Sequence, residues 1–269
     1  MKNFSLFAIL FFCSCTIAPR ITVTNAGNGG MPNVIVDGKI FATAYQQKAA
    51  EYRALCLQAF NIARERIDEI ILQNTTIPKA IITDIDETIL DNSAYQAHQV
   101  LQGKDYDQSS WLEWTAMASA DTVPGASDFL KYAASKGVEI FYVTNRMEKE
   151  RDATIKNLKK FDLPNADYAH LFPVQKTSSK EDRRKSIAAN HDVVMLLGDN
   201  LADFSFLFDK KNSLQRTENV NVLSGEFGRR FIILPNPVYG DWESSLYNYN
   251  YSLLAAQKDS LLKASLHTY

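Results

Sequence analysis

From Ala42 to Gln73 the apolar positions Tyr45, Ala49, Tyr52, Cys56, Phe60, Ala63, Ile67 and Ile70 recur at threes and fours with charges between them. That spacing predicts one long amphipathic helix. After Pro78 the pattern changes. Short β-branched runs, KAIITDI at 79–85, VEIFYVTN at 138–145, DVVMLLGDN at 192–200 and RRFIILPN at 229–236, read as strands buried on both faces. Between them GASDFLKYAASK, EKERDATIKNLKKF and KEDRRKSIAA read as helices. The alternation predicts an α/β fold with an open, doubly wound parallel sheet.

Composition changes this picture little. The 269 residues are 46% hydrophobic and 22% charged, an ordinary balance for one large domain with an elaboration. A formal net charge of -2 and the lack of a basic run argue against a nucleic-acid polymer as partner. The first residues differ: Lys2, an apolar run from Phe4 to Phe12, then Ser14 beside Cys15 have the outline of a signal peptide too short to span a bilayer. A small residue directly before Cys15 resembles a bacterial lipoprotein processing site, and Cys13 after bulky Phe12 fits that role less well; secretion with cleavage elsewhere is the alternative. Residues 1–15 are therefore expected to be leader with Cys15 lipidated. Residues 16–40, rich in Gly and Asn, are expected to be a tether with a reach of roughly 80 Å at about 3.3 Å per residue. Residues 41–269 form the folded part. Cys56 sits in the helical stripe and reads as a small core residue.

In an open α/β sheet ligands bind at the carboxyl ends of the strands. Those ends carry Asp84 and Asp86 after the first strand, Thr144, Asn145 and Arg146 after the second, and Asp199 and Asp203 after the third, with Lys180 shortly before it. Carboxylates this close repel one another and resist burial. A helix cap with solvated neighbours would account for Glu87 and Asp91, but not for Asp84 at the end of a buried strand. A hard divalent cation resolves the conflict, and Mg2+ suits an all-oxygen set of Asp84, the backbone carbonyl of Asp86 and Asp199. Asp203 is expected to hold a metal-bound water.

DIDETILDN at 84–92 with its preceding strand, YVTNR at 142–146, GDNLADF at 198–204 and LPNPVYGDWE at 234–243 resemble the haloacid dehalogenase (HAD) superfamily. Within it they are similar to the class C acid phosphatases, the bacterial lipoprotein 5'-nucleotidase family, over about residues 40–250. The resemblance implies a Rossmann-like core with a mainly helical cap, here drawn from the long N-terminal helix, residues 92–124 and the C-terminal segment. It also implies that Asp84 is the nucleophile forming an aspartyl-phosphate, that Asp86 protonates the leaving oxygen and then activates water, that Thr144 binds phosphoryl oxygens, and that Lys180 neutralises nucleophile and phosphate. Lys176 competes for the last role; its spacing and the pairing of Lys180 with Arg183 favour Lys180. Thr144 has a strand-end cap as its alternative. Asn145 and Arg146 support the substrate, although a salt-bridged Arg146 is equally compatible with the sequence.

Aromatic faces stack on nucleobases with little dependence on base identity. By the resemblance Trp111, Tyr239 and Trp242 line a pocket for the group that leaves phosphate, with core packing an equal rival for Trp114 and Trp242. The expected activity is Mg2+-dependent hydrolysis of nucleoside monophosphates. Its rivals are a broad acid phosphatase or phosphotransferase and a nucleotide-binding lipoprotein without turnover. The expected location is the bacterial envelope, on the outer membrane through the lipid, with a second copy of the chain as a further candidate partner.

Overall fold

The computed structural model describes residues 34–73 and 75–269. The expected leader, Cys15 and most of the tether lie outside the described residues. The N-terminal stripe forms two helices, α1 (Val34–Lys48) and α2 (Ala50–Ile70), not one. Ala49 is extended at φ -75°, ψ 126°, which redirects the chain. The stripe runs on through the break, where the rings of Tyr45 and Tyr52 meet edge-on at 6.2 Å. Residues 34–40, counted above with the tether, are the start of α1.

The chain continues through β1 (Lys79–Thr83), β2 (Leu90–Asp91), α3 (Ser93–Leu101), α4 (Gln108–Met117), β3 (Asp121–Thr122) and α5 (Ala126–Ser135). There follow β4 (Glu139–Val143), α6 (Arg151–Lys160), β5 (Leu171–Phe172), α7 (Glu181–Ala188) and β6 (Asp192–Gly198). The described chain ends with α8 (Ser213–Val222), β7 (Phe231–Ile233), α9 (Asp241–Leu246) and α10 (Ala255–Ser265). Among the described residues the main sheet is parallel, in the order β5-β4-β1-β6-β7. All four strands expected from the sequence are present, slightly shorter than their apolar runs. The two-residue edge strand β5 was not expected.

Both faces of the sheet are covered. On one, Tyr52, Cys56, Phe60, Ala63 and Ile67 of α2 share a core with Ile81, Ile140, Leu197 and Phe129. On the other, Ala80, Ile82, Phe141, Val143 and Leu196 pack with Ile187, Phe204 and Phe231. Double coverage is why the strands read as unbroken apolar runs. Burial pushes the Cys56 thiol up to about 11, consistent with a core residue.

α2 is therefore a layer of the core. Of the N-terminal stretch expected to cap the site, only α1 leaves the sheet, packing on α3 and α10. Residues 92–124 form a helical excursion, α3 and α4, closed at its base by the antiparallel pair β2 and β3. Among the described residues no helix is long and apolar enough to cross a membrane.

Candidate active site

The central strand β1 lies between β4 and β6, so the three acid-bearing and hydroxyl-bearing loops leave the sheet side by side. Asp84 is the first residue beyond β1, and its N–H donates to Leu197 of β6 at 2.9 Å. The chain then turns sharply: the carbonyl of Ile85 accepts from Thr88, Ile89 and Leu90, and Glu87 takes a left-handed φ of 54°. This turn delivers Asp84, Asp86 and Thr88 to one end of the sheet.

Carboxylate oxygens of Asp84, Asp199 and Asp203 lie within 4.8 Å of one another. The ammonium of Lys180, at the start of α7, bridges two of them, at 2.6 Å from Asp84 Oδ1 and 2.7 Å from Asp203 Oδ1. Lys180 is buried and Lys176 is exposed, so the geometry selects Lys180. Burial works against its charge, but Asp203 and Asp84 outweigh it and hold its pKa above the ordinary lysine value. Asp203 also accepts the Asn200 N–H through Oδ2 at 3.0 Å. Its carboxylate presses on Gly198, where an added Cβ would fall 2.3 Å from Oδ2, so any side chain there would displace the aspartate. Asp199 accepts from Asn236 Nδ2 at 2.7 Å and from the Thr88 hydroxyl at 3.3 Å.

Three carboxylates share the one ammonium paired with them directly, which leaves an excess of acid in the cluster. The strain shows in the titration: burial first, with Asp203 and Asp86 behind it and Lys180 opposing, pushes Asp84 up to about 7. Burial with Asp203 and Asp84 likewise pushes Asp199 well above the carboxylate range. The donors are all oxygen, Asp84 Oδ2 has no protein partner among the described residues, and neither does the carbonyl of Asp86. That is the donor set a hard divalent cation takes. Asp203 has both oxygens engaged by Lys180 and Asn200, which fits an outer position around such an ion.

Asp86 points elsewhere. Its Oδ1 accepts from Arg146 Nη2 at 2.7 Å and Nε at 3.1 Å and from Asn92 Nδ2 at 2.9 Å, and its Oδ2 from Arg146 Nε at 3.2 Å. Arg146, 3% exposed, spends its remaining terminal nitrogen on the Thr154 hydroxyl at 3.1 Å. Arg146 forms the salt bridge and also lines the cavity, so both roles compatible with the sequence stand. The Thr144 hydroxyl accepts the Arg146 N–H at 3.1 Å, leaving its proton to donate, and it caps no helix. Thr144 is fully buried behind the cavity wall, whereas Asn145 reaches the cavity with its Oδ1 held by Arg183 Nη2 at 2.9 Å.

Glu87 is not the solvated neighbour expected from the sequence. It is fully buried, accepts Asn92 N at 2.8 Å and Asn92 Nδ2 at 3.3 Å, and accepts the Tyr239 hydroxyl. Burial and the Asp86 charge push its pKa up to about 8 against those hydrogen bonds. Asp91 precedes the N-cap Asn92 of α3 and accepts from Ser93 N at 2.8 Å and Gln46 Nε2 at 2.9 Å.

A cavity of about 630 Å³ opens above these groups, its walls formed from α1, α3, α4, α9 and α10 as well as the strand ends. Trp111 and Tyr239 line it. Trp111 is also packed edge-on to Tyr95 at 5.1 Å and donates to Glu150 at 3.1 Å. Trp242 does not line the cavity: its indole N–H donates to the carbonyls of Tyr239 and Asn236 at 3.1 and 3.2 Å, fastening the loop, and its ring is 44% exposed. Trp114 donates to Asn92 at 2.8 Å and packs against the core. Sequence reasoning missed Tyr106, whose ring lines the cavity 6.2 Å from that of Trp111, and the asparagines 92 and 236 that orient Asp86 and Asp199. No local pattern marks these asparagines, because the partners are distant or face a turn.

Comparison with known proteins agrees with this geometry. Residues 32–242 match the family described as HAD superfamily, subfamily IIIB (acid phosphatase). The chain is similar to the class C acid phosphatase of Bacillus anthracis, with 40% identity and a TM-score of 0.85 over 87% of this chain and 99% of that one. A second structure of that Bacillus anthracis enzyme, with tungstate bound, matches at 40% identity and a TM-score of 0.85 over 88% of this chain and all of that one.

Proposed function

This chain belongs to the class C acid phosphatases of the HAD superfamily, which are phosphoric monoester hydrolases, and on that premise we propose that it hydrolyses nucleoside monophosphates through an aspartyl-phosphate on Asp84, with Mg2+ as its cation. The observation that carries the reading is Asp84 itself. One of its oxygens lies 2.6 Å from Lys180 while the other meets no protein group among the described residues, so the carboxylate at the cavity can hold a cation through one oxygen and present the other to phosphorus. Tungstate, a tetrahedral oxyanion, binds the similar Bacillus anthracis enzyme, in keeping with a phosphate-sized site here.

Asp84, the carbonyl of Asp86 and Asp199 would hold the cation, with Asp203 outside them. When bound, Mg2+ supplies the positive charge that lets an anionic nucleophile approach an anionic phosphate. The chain's own groups do the rest. Lys180 keeps Asp84 oriented and offsets charge on the phosphoryl oxygens. Asn145, at the cavity, donates to those oxygens, and Thr144 beneath it fixes the loop through the Arg146 N–H. Asp86, oriented by Arg146 and Asn92, enters the step in its protonated form, gives that proton to the departing oxygen as its bond to phosphorus breaks, then takes one back from the water that cleaves the acyl phosphate. Attack of that water on phosphorus restores Asp84 and releases inorganic phosphate.

Tyr106, Trp111 and Tyr239 support the nucleotide assignment, as flat faces on the wall of one cavity. Tyr106 is the residue to test. It is 54% exposed, so its ring can be removed without opening a core cavity, which is untrue of Trp111. Tyr106→Ala is expected to lose about 1–3 kcal/mol of base stacking. This should appear chiefly as a raised KM for a nucleoside monophosphate and much less for p-nitrophenyl phosphate. An equal loss on both substrates would remove the nucleobase assignment.

The proposal includes export and a lipid on Cys15, supported by Lys2, the apolar run Phe4 to Phe12 and the Ser14-Cys15 pair.

A further inference from the structure

Away from phosphorus, the cavity has a second polar wall that catalysis leaves unused. Lys39 of α1 projects between two acids from distant parts of the chain, 2.7 Å from Asp105 Oδ1 in the α3–α4 loop and 3.3 Å from Glu243 Oε2 in α9. Asp105 Oδ1 also accepts the Tyr106 N–H at 2.8 Å. Asp105 Oδ2 and Glu243 Oε1 are left without a protein partner among the described residues. Beside them Tyr247 is only 6% exposed, yet its buried hydroxyl has no hydrogen-bond partner. Burial, with the charges of Glu243 and Asp105, pushes that hydroxyl up to about 12, so at neutral pH it keeps its proton. Lys39, Asp105, Glu243 and Tyr247 all line the same cavity as Asp84 and Lys180.

A buried hydroxyl without a partner in a native fold calls for a ligand or a water to satisfy it. The chemistry around it is specific. Two carboxylate oxygens are available to accept and one phenol to donate. The ammonium of Lys39, joined by that of Lys258, which stands 5.8 Å from the Tyr247 ring centre and lines the same wall, balances the two carboxylates. A wall with no net charge suits a neutral group rich in hydroxyls and offers nothing to a second phosphate. Lys39 outweighs burial and holds Asp105 below the usual carboxylate range, while burial lifts Glu243 above it. Carboxylates that accept from vicinal sugar hydroxyls are a recurrent device of nucleotide sites.

We propose that Asp105, Glu243 and Tyr247, held together by Lys39, form a binding site for the vicinal hydroxyls of a sugar ring in the leaving group. The two carboxylates accept from the diol and the Tyr247 hydroxyl donates to it. The site rests on the nucleotide reading above and deepens it, since it makes the ribose, and not only the base, a determinant of specificity.

The test measures kcat/KM for adenosine 5'-monophosphate, its 2',3'-dideoxy analogue and ribose 5-phosphate, in the wild-type enzyme, Asp105→Asn and Tyr247→Phe. Loss of hydrogen bonds to a charged acceptor predicts that the wild type prefers the ribonucleotide to the dideoxy analogue by about ten- to hundredfold, mainly through KM. Asp105→Asn should reduce that preference to a few fold, and Tyr247→Phe should reduce it about three- to tenfold. Tyr247→Phe removes a hydroxyl without a partner, so its Tm should equal or exceed that of the wild type. Equal rates on the two nucleotides in the wild type, or a preference unchanged in both variants, would overturn the site. Failure of the base reading registers separately, as equal kcat/KM for adenosine monophosphate and ribose 5-phosphate, while the ribo-to-dideoxy ratio still judges the diol site.

Discussion

Asp84→Asn is expected to lower kcat/KM on every phosphomonoester by at least about a thousandfold, because the amide keeps the shape of the side chain and loses the nucleophilic oxygen. The loss should be independent of the leaving group, since the missing attack precedes any difference between esters. Stability should move the other way. In metal-free protein the substitution removes one of three carboxylates that share a single ammonium, and burial together with Asp203 and Asp86 already disfavours the Asp84 charge. The Tm of the metal-free variant should therefore match or exceed that of metal-free wild type, a site optimised for turnover at the expense of stability. Activity within tenfold of wild type in Mg2+-replete buffer would remove Asp84 from its role.

Removal of divalent cations should have an effect of similar size. A phosphate brought to the ionised carboxylate of Asp84 without a cation meets a repulsion of about 4 kcal/mol per pair of unit charges at 4 Å in a medium of effective dielectric constant 20. One such pair corresponds to roughly a thousandfold in rate. Dialysis against EDTA should thus reduce turnover about a thousandfold or more, with Mg2+ restoring it, since the carboxylates of Asp84 and Asp199 and the carbonyl of Asp86 are all oxygen donors and favour a hard ion. Full activity in protein shown metal-free by elemental analysis would contradict the charge balance on which the site depends.

The core of this protein was legible because it depends on local pattern. Strands covered on both faces leave unbroken apolar runs, and an acid directly after such a run, as at half-buried Asp84 and Asp199, has no structural use strong enough to justify its place there. What escaped depends on distance. Ala49 carries no Gly or Pro to announce a break; α1 turns away there because its apolar side packs on α3 and α10, elements that come later in the chain. β5 is two residues long and forms only by pairing with β4. Glu87 looked like a solvated cap because one partner, the Tyr239 hydroxyl, becomes its neighbour only when the turn after β1 meets the loop after β7, while Asn92 reaches back to it across that turn. Trp242 carried the aromatic character of a pocket residue, but its N–H is satisfied by the loop that presents Tyr239, and the ring stays outside. Lys39 offered no signal at all, because an ion pair spanning 66 residues to Asp105 is invisible to any local reading.

The stereochemical course at phosphorus tests the nucleophilic role of Asp84 most directly. A phosphorothioate monoester carrying two oxygen isotopes at phosphorus, hydrolysed by the Mg2+ enzyme in water of the third isotope, gives a chiral thiophosphate that reports the number of in-line displacements whether or not an intermediate accumulates. Attack by Asp84 followed by attack on the acyl phosphate makes two inversions, so net retention is the predicted result. Net inversion would show a single displacement by water and contradict the aspartyl-phosphate.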